Sequence, residues 1–76
     1  MSDDLEKILA ILRRVGEIEQ IAPDQDFYAA GLDSMRGMDV MMDMESEFDL
    51  PIPDDQFVSA RTANDLVALV ERARKS

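Results

Sequence analysis

Apolar side chains recur three and four positions apart near the start of the chain. They fall at Leu5, Ile8, Leu9, Leu12 and Val15. This spacing places them on one face of a helix and predicts an amphipathic helix from about Asp3 to Val15. We expect Ser2 or Asp3 to cap its start and Gly16 to follow its end.

A second helix is predicted from Ser34 to Phe48, because the two prolines in residues 49–53 cannot lie inside a helix. At 100° per residue its apolar side chains form two stripes on opposite sides. The stripe expected in the core is Val40, Met41, Met44 and Phe48, and the other is Met35, Met38 and Met42. Either the long segment before the helix covers the second stripe, or the stripe is exposed and docks a partner.

Residues 17–33 show no sustained period and contain Pro23 and Gly31, which indicates a long loop. Four apolar side chains are available to hold this loop against the core, at Ile18, Ile21, Phe27 and Tyr28. Such a long loop is uncommon in a small domain unless it has a function.

After the prolines, a short helical turn is predicted through Gln56, Phe57 and Val58, with Asp54 or Asp55 as its cap. Residues 62–65 resemble a capping box with Asp in the Glu position. They open a last helix whose apolar face is Leu66, Leu69, Val70 and Ala73. No stretch alternates with period two. The chain therefore reads as one all-α domain over residues 1–76, with three main helices and one short helix.

The composition excludes several classes of function. The chain has no Cys and no His, so it contains neither a thiolate nucleophile nor an imidazole base, and it is not expected to be an enzyme. Its 17 acidic against 8 basic residues give a net charge of −9, which disfavours nucleic acids and anionic membranes and favours basic protein partners. Without a signal peptide or apolar span, a cytoplasmic location is expected.

Much of the negative charge lies in residues 34–55, where seven acids face the single base Arg36, a net charge of −6. Asp39, Asp43 and Glu47 follow each other at intervals of four and lie on one face of the second helix. They are read as a solvated acidic face or a surface for a basic partner. No specific metal site is expected.

Ser34 lies where the long loop meets this acidic helix. A serine at a helix start is most often a cap. A phosphate attached there would also be stabilised by the free N–H groups and the dipole of the helix N-terminus. Nothing in the chain can activate the hydroxyl, so another enzyme would have to modify it.

From Asp33 onward, the sequence resembles acyl carrier proteins. Members of that family carry Asp-Ser-Leu at the site of their 4′-phosphopantetheine arm, and Asp33-Ser34-Met35 stands in its place. The similarity continues through residues 45–49 and 52–54 and covers roughly residues 26–70. It implies the fold of the family, a four-helix bundle with a long loop after the first helix.

The resemblance also implies roles for individual residues. Ser34 would carry phosphopantetheine derived from coenzyme A, and Asp33 would be recognised during that transfer. The docking face for partner enzymes would comprise Met35, Arg36, Met38, Asp39, Met42, Glu45 and Glu47. The implied partners are a phosphopantetheinyl transferase, a loading enzyme and downstream transferases with basic surfaces. The initiator Met and the complete last helix favour a stand-alone carrier. A monomer is expected.

Two departures from the family pattern suggest partners unlike those of housekeeping fatty-acid synthesis. Arg36 puts a positive charge beside the arm site, and Gly37 is an unfavourable residue inside a helix. Phe27 and Tyr28 resemble the paired aromatic residues of peptidyl carriers, and residues 28–32 are similar to small aminoacyl carriers. The cargo can be acyl or aminoacyl. An acidic helical adaptor without a prosthetic group is the alternative of a different class.

Overall fold

The computed structural model describes residues 3–75, which form four helices and no strand. The helices are α1 (Asp3–Arg14), α2 (Ser34–Phe48), α3 (Asp54–Ser59) and α4 (Ala63–Lys75). This confirms the predicted all-α fold and the predicted bounds of α2. Helix α1 ends one residue before the predicted Val15, and Ser2 lies outside the described residues. No helix in this part of the chain is long and apolar enough to cross a membrane.

One core lies between the helices and receives side chains from all of them. Its fully buried members include Ile8 and Leu12 of α1, Val40 and Met44 of α2, and Leu66 and Val70 of α4. Phe57 is the buried side chain of α3. Each such side chain contributes about 1.5–3 kcal/mol by leaving water, so packing, more than helix propensity, holds these short helices in place.

The long loop between α1 and α2 is fixed to the junction of α3 and α4. The Phe27 side chain is buried, and its N–H donates to the Arg61 carbonyl at 2.8 Å. The Asn64 N–H donates to the Pro23 carbonyl at 3.0 Å. Arg61 also donates to the Asp26 carboxylate at 2.8 Å, and this hydrogen bond lowers the pKa of Asp26. The predicted anchoring of the loop is confirmed.

The caps of the last two helices have different origins. The Asp65 N–H donates to Thr62 Oγ1 at 3.1 Å, and the Thr62 N–H donates to Asp65 Oδ2 at 3.2 Å, so the capping box of α4 is confirmed. The predicted cap of α3 is wrong. Pro53 is its N-cap and makes no side-chain hydrogen bond. Asp54 and Asp55 lie inside the first turn, where their charges favour the helix dipole.

The basic end of α4 is joined to α1. Arg74 makes two hydrogen bonds to the Asp4 carboxylate, at 2.7 and 2.9 Å. These bonds lower the pKa of Asp4 and raise that of Arg74. Of the three bases in the last turn of α4, Arg74 therefore does more than complement the helix dipole, because it also ties α4 to α1.

Candidate functional site

Ser34 is the first residue of α2, and the residue before it caps the helix. Asp33 has an extended backbone, and its carboxylate accepts a hydrogen bond from the Arg36 N–H at 2.8 Å. The interpretation of Ser34 as the cap is therefore wrong by one residue. Because Asp33 satisfies this free N–H group, the Ser34 hydroxyl is not needed to start the helix.

The surroundings of Ser34 fit an esterified phosphate. Its side chain is exposed, and no hydrogen bond found within residues 3–75 uses its hydroxyl. The N-terminus of α2 favours an anion at this point through its N–H groups and dipole. The nearby cation Arg36 is paired with the Glu17 carboxylate at 3.0 Å. A phosphate on Ser34 would thus be held by the helix end and would project into solvent.

An apolar groove of about 360 Å³ begins at Ser34. Its lining is Tyr28, Ser34, Met35, Gly37, Met38, Phe57 and Val58. A Cβ atom at Gly37 would lie 3.8 Å from the Phe57 ring and 3.9 Å from Leu32, which is ordinary contact. Steric crowding therefore does not require a glycine at position 37. A larger hollow of about 560 Å³, between residues 51–56 and the end of α4, does not include Ser34.

The groove includes residues that sequence reasoning did not assign to the site. Tyr28 comes from the long loop, and its ring is held by the Arg61 guanidinium 5.4 Å from its centre. Val58 comes from α3 and is 69% exposed. Val58 could have been noticed in the sequence, because it is an apolar residue in a short helix that has few core positions. Its position beside Ser34 depends on tertiary packing.

The two methionine groups of α2 have opposite environments. Met35, Met38 and Met42, called here the methionine stripe, are 79%, 59% and 59% exposed. Met41 and Met44 are buried. The structure therefore shows that the methionine stripe is exposed, and it confirms Val40, Met41 and Met44 as core residues. Phe48 is also predicted in the core, but it is only partly buried at the edge of the core, where Lys7 of α1 and Arg74 of α4 each lie 5.9 Å from the centre of its ring.

The three acids spaced four apart on α2, Asp39, Asp43 and Glu47, do not form a fully solvated face. Asp43 accepts a hydrogen bond from Arg14 at 2.6 Å, and Glu47 is 3.8 Å from Lys7. Both bases belong to α1, which packs along this flank of α2. Asp39 is exposed and takes part in none of the ion pairs found in residues 3–75.

Glu45, assigned by resemblance to the docking face, has a structural contact on the other flank. Its carboxylate accepts a hydrogen bond from the Ile52 N–H at 2.9 Å and holds the segment after α2. Within the described residues, no three acidic side chains come together as a metal site. The arrangement offers an exposed hydroxyl beside an apolar surface, and the chain contains no His or Cys to serve as a base or thiol beside it.

Comparison with known proteins supplies independent findings. A family model described as a phosphopantetheine attachment site matches residues 6–70. An acyl carrier protein of Exiguobacterium sibiricum is 36% identical over 64 residues, covering 82% of this chain and 81% of the relative. An aminoacyl carrier protein of Agrobacterium fabrum is 33% identical over 72 residues, covering 83% and 87%. The crystal structure of an acyl carrier protein from Thermotoga maritima superposes with a TM-score of 0.76 at 26% identity, covering 93% of this chain and 86% of that one.

Proposed function

The chain belongs to the family of carrier proteins with a phosphopantetheine attachment site, and from that premise we propose that it carries an acyl or aminoacyl group as a thioester on an arm attached to Ser34. The family carries 4′-phosphopantetheine as its prosthetic group. We further propose that residues 1–76 act as one carrier domain that presents its cargo to separate enzymes and catalyses nothing itself.

The observation that carries the assignment of Ser34 is its exposed, unused hydroxyl at the capped start of α2. Asp33 fixes the first turn by accepting the Arg36 N–H, so the serine is presented on a rigid helix end. Ser46, the other serine of α2, lies in the last turn of the helix, where the helix dipole disfavours an attached phosphate.

Loading requires the Ser34 oxygen to act as the nucleophile. Its bond to the phosphorus of coenzyme A forms as the bond to the nucleotide leaving group breaks, and the hydroxyl proton passes to a base. The chain has no His, so that base belongs to a phosphopantetheinyl transferase. When bound, the prosthetic group supplies the thiol that a chain without Cys lacks. The body of this protein positions the arm and offers its partners a surface beside it.

The cargo remains divided between two chemistries, and relatives support both. One similar protein is an acyl carrier and another is an aminoacyl carrier. The groove beside Ser34 is lined by apolar and aromatic side chains and would suit an apolar portion of either cargo. The proposed partners are the transferase, an enzyme that loads the acyl or aminoacyl group, and downstream transferases, to which Asp39 offers a free acidic group.

Incubation of the purified chain with coenzyme A, magnesium and a broad-specificity phosphopantetheinyl transferase tests the assignment. Intact mass should rise by one phosphopantetheine in the wild-type chain and in Ser46→Ala, and should not change in Ser34→Ala. A wild-type chain that gains no mass, or a gain that survives Ser34→Ala, would refute the proposal. The mass of the protein isolated from its native host would then distinguish an acyl from an aminoacyl cargo.

The alternative without a prosthetic group, an acidic helical adaptor, makes the opposite prediction. It requires the wild-type chain to gain no mass with the transferase and to remain unmodified in its host. Under this alternative Ser34→Ala is silent, while Met38→Ala or Asp39→Ala weakens binding to the partner. The same two mass measurements therefore separate a carrier from an adaptor.

A further inference from the structure

The hollow between the segment after α2 and the end of α4 is open to solvent. Its volume is about 560 Å³, and it is lined by Pro51, Pro53, Gln56, Arg72, Ala73 and Lys75. All of these residues except Ala73 are exposed, so the hollow is a surface groove, called here the α4 groove. A small molecule usually binds where most of its surface is buried. An open groove of this kind suits a segment of another protein better.

The cations of the α4 groove have no partner in the described part of the fold. Arg72 and Lys75 take part in none of the ion pairs or side-chain hydrogen bonds found within residues 3–75. Arg74, which lies between them in the sequence, is instead bound to Asp4 of α1. Bases anywhere in the last turn of α4 complement the helix dipole. The dipole does not explain why the two uncommitted bases line the same groove.

The charge of the α4 groove is opposite to that of the chain as a whole. Residues 56–76 contain four bases and two acids, a net charge of +2, whereas the whole chain carries −9. The nearest acids in the sequence, Asp54 and Asp55, form no ion pair with Arg72 or Lys75. An acidic segment of a partner is therefore attracted to this groove and repelled by most of the remaining surface.

The segment of the groove that precedes α3 cannot bind a partner by adding a β-strand. Pro51 and Pro53 have no N–H group, and the Ile52 N–H between them donates to the Glu45 carboxylate at 2.9 Å. No backbone donor of residues 51–53 is thus left for an extended peptide. Recognition must come from side chains, for which the proline rings offer apolar contact and Gln56 offers an amide beside the cations.

The α4 groove is separate from the groove that begins at Ser34. Helix α3 contributes Phe57 and Val58 to the groove at Ser34 and Gln56 to the α4 groove. No residue lines both. A segment bound at the end of α4 therefore leaves Ser34 uncovered.

We propose that the α4 groove binds an acidic, extended segment of a partner protein, in which an apolar side chain contacts the prolines and flanking carboxylates pair with Arg72 and Lys75. This inference goes beyond the function proposed above and does not depend on it. The bound segment covers neither Ser34 nor the methionine stripe. In a carrier, such a tether raises the effective concentration of the domain near the protein that holds it.

An NMR titration with a defined peptide tests the proposal. The ¹⁵N-labelled chain, with ¹³C at its methionine methyl groups, is titrated at about 150 mM NaCl with the blocked peptide Glu-Asp-Leu-Leu-Asp-Glu. We expect the amide signals of Gln56, Arg72, Ala73 and Lys75 to shift with a Kd of about 1 mM or tighter. The methyl signals of the methionine stripe should not move.

Matched peptides separate the two components of recognition. Replacing every acid of the peptide with Lys should abolish the shifts, because the cations of the groove then repel it. Replacing both Leu residues with Gly should weaken binding about fivefold or more, because it removes the apolar contact.

Matched variants locate the charge contact. Arg72→Gln/Lys75→Gln should weaken binding about fivefold or more, because it removes both ion pairs. Arg13→Gln/Arg14→Gln removes the same charge from the last turn of α1. It should change the Kd less than about twofold, because charges more than about 8 Å apart are largely screened at this salt concentration. Thermal melts verify that each variant is folded.

Several results overturn the inference. They are an absence of shifts in the α4 groove at several millimolar peptide, equal weakening in the two double variants, and a glycine peptide that binds as well as the leucine peptide. Groove signals that shift with the concentration of the chain alone would assign the groove to a second copy and also overturn it. None of these measurements involves the arm, so their failure leaves the loading of Ser34 untouched. A chain that gains no arm refutes the carrier function and not the groove.

Discussion

The two sides of α2 differ in burial and in ion pairing, although they belong to the same helix. On the core side, Val40 and Met44 are completely buried, and the adjoining flank is tied to α1 through Asp43 and Glu47. On the opposite side, three methionines are exposed and Asp39 has no ion pair within residues 3–75. One side of the helix maintains the fold, and the other is exposed beside Ser34.

The difference shows how a 76-residue chain can present an apolar surface without losing its core. A small domain buries a limited fraction of its surface, so it has little structure with which to cover two apolar stripes of one helix. The stripe that starts at the proposed arm site is the one left open. Methionine at these positions adds apolar area with a side chain that adapts to its surroundings.

The largest expected effect compares the same substitution on the two sides. Met44→Ala should lower the free energy of unfolding by about 2–5 kcal/mol, because it leaves a cavity in the core. Met38→Ala should change it by about 0.5 kcal/mol or less, as expected for an exposed side chain. Urea unfolding monitored by circular dichroism measures both. Equal losses in the two variants would show that the sides are not distinct.

A smaller effect is expected at the start of α2, where Asp33 caps the helix. Asp33→Ala should cost about 1 kcal/mol, because it removes the carboxylate that accepts the Arg36 N–H. Asp33→Asn is the control, since an asparagine caps nearly as well. If both variants unfold at the same urea concentration as the wild type, Asp33 does not stabilise the helix.

Gly37 should give a change of the opposite sign. Gly37→Ala adds a methyl group with only ordinary contacts to Phe57 and Leu32, and alanine is about 1 kcal/mol more favourable in a helix. We expect a gain in stability of up to about 1 kcal/mol. A loss would mean that this buried part of the helix tolerates no side chain. Gly37→Val tests the limit, because a branched side chain is larger and less favourable in a helix.

The smallest expected effect compares two acids of the same helix. Asp43→Asn should lower stability by about 0.2–1 kcal/mol, since it breaks an exposed ion pair with Arg14. Asp39→Asn should be neutral or slightly stabilising, because it removes an unpaired charge from a chain of net charge −9. Thermal unfolding of each variant and of the wild type at low salt measures the two changes in stability. A larger loss for Asp39→Asn would show that Asp39, and not Asp43, is the acid that stabilises the fold.

The features that follow helical periodicity could be predicted from the sequence. The bounds of α2 and the separation of Met44 from Met38 depend on the 3.6-residue repeat and on the prolines after Asp49. The cap of α4 was also predictable, because Thr62 and Asp65 form their contacts within four residues.

The features that depend on packing between elements were not predictable in this way. The pairing of Asp43 with Arg14 joins residues 29 positions apart and requires the relative placement of two helices. Val58 reaches the groove at Ser34 only because α3 folds back beside α2. The choice of Asp33 over Ser34 as the cap was ambiguous, since both residue types cap helices well.

Methionine methyl signals can test the division of α2 in one experiment. The chain, labelled with ¹³C at the methionine methyl groups, is titrated with the transferase in the absence of coenzyme A and followed by NMR. We predict that the signals of Met35, Met38 and Met42 shift or broaden, while those of Met41 and Met44 stay unchanged. Equal changes in both groups, or an unperturbed methionine stripe in a chain that is loaded normally, would contradict the division of α2 into a docking face and a core face.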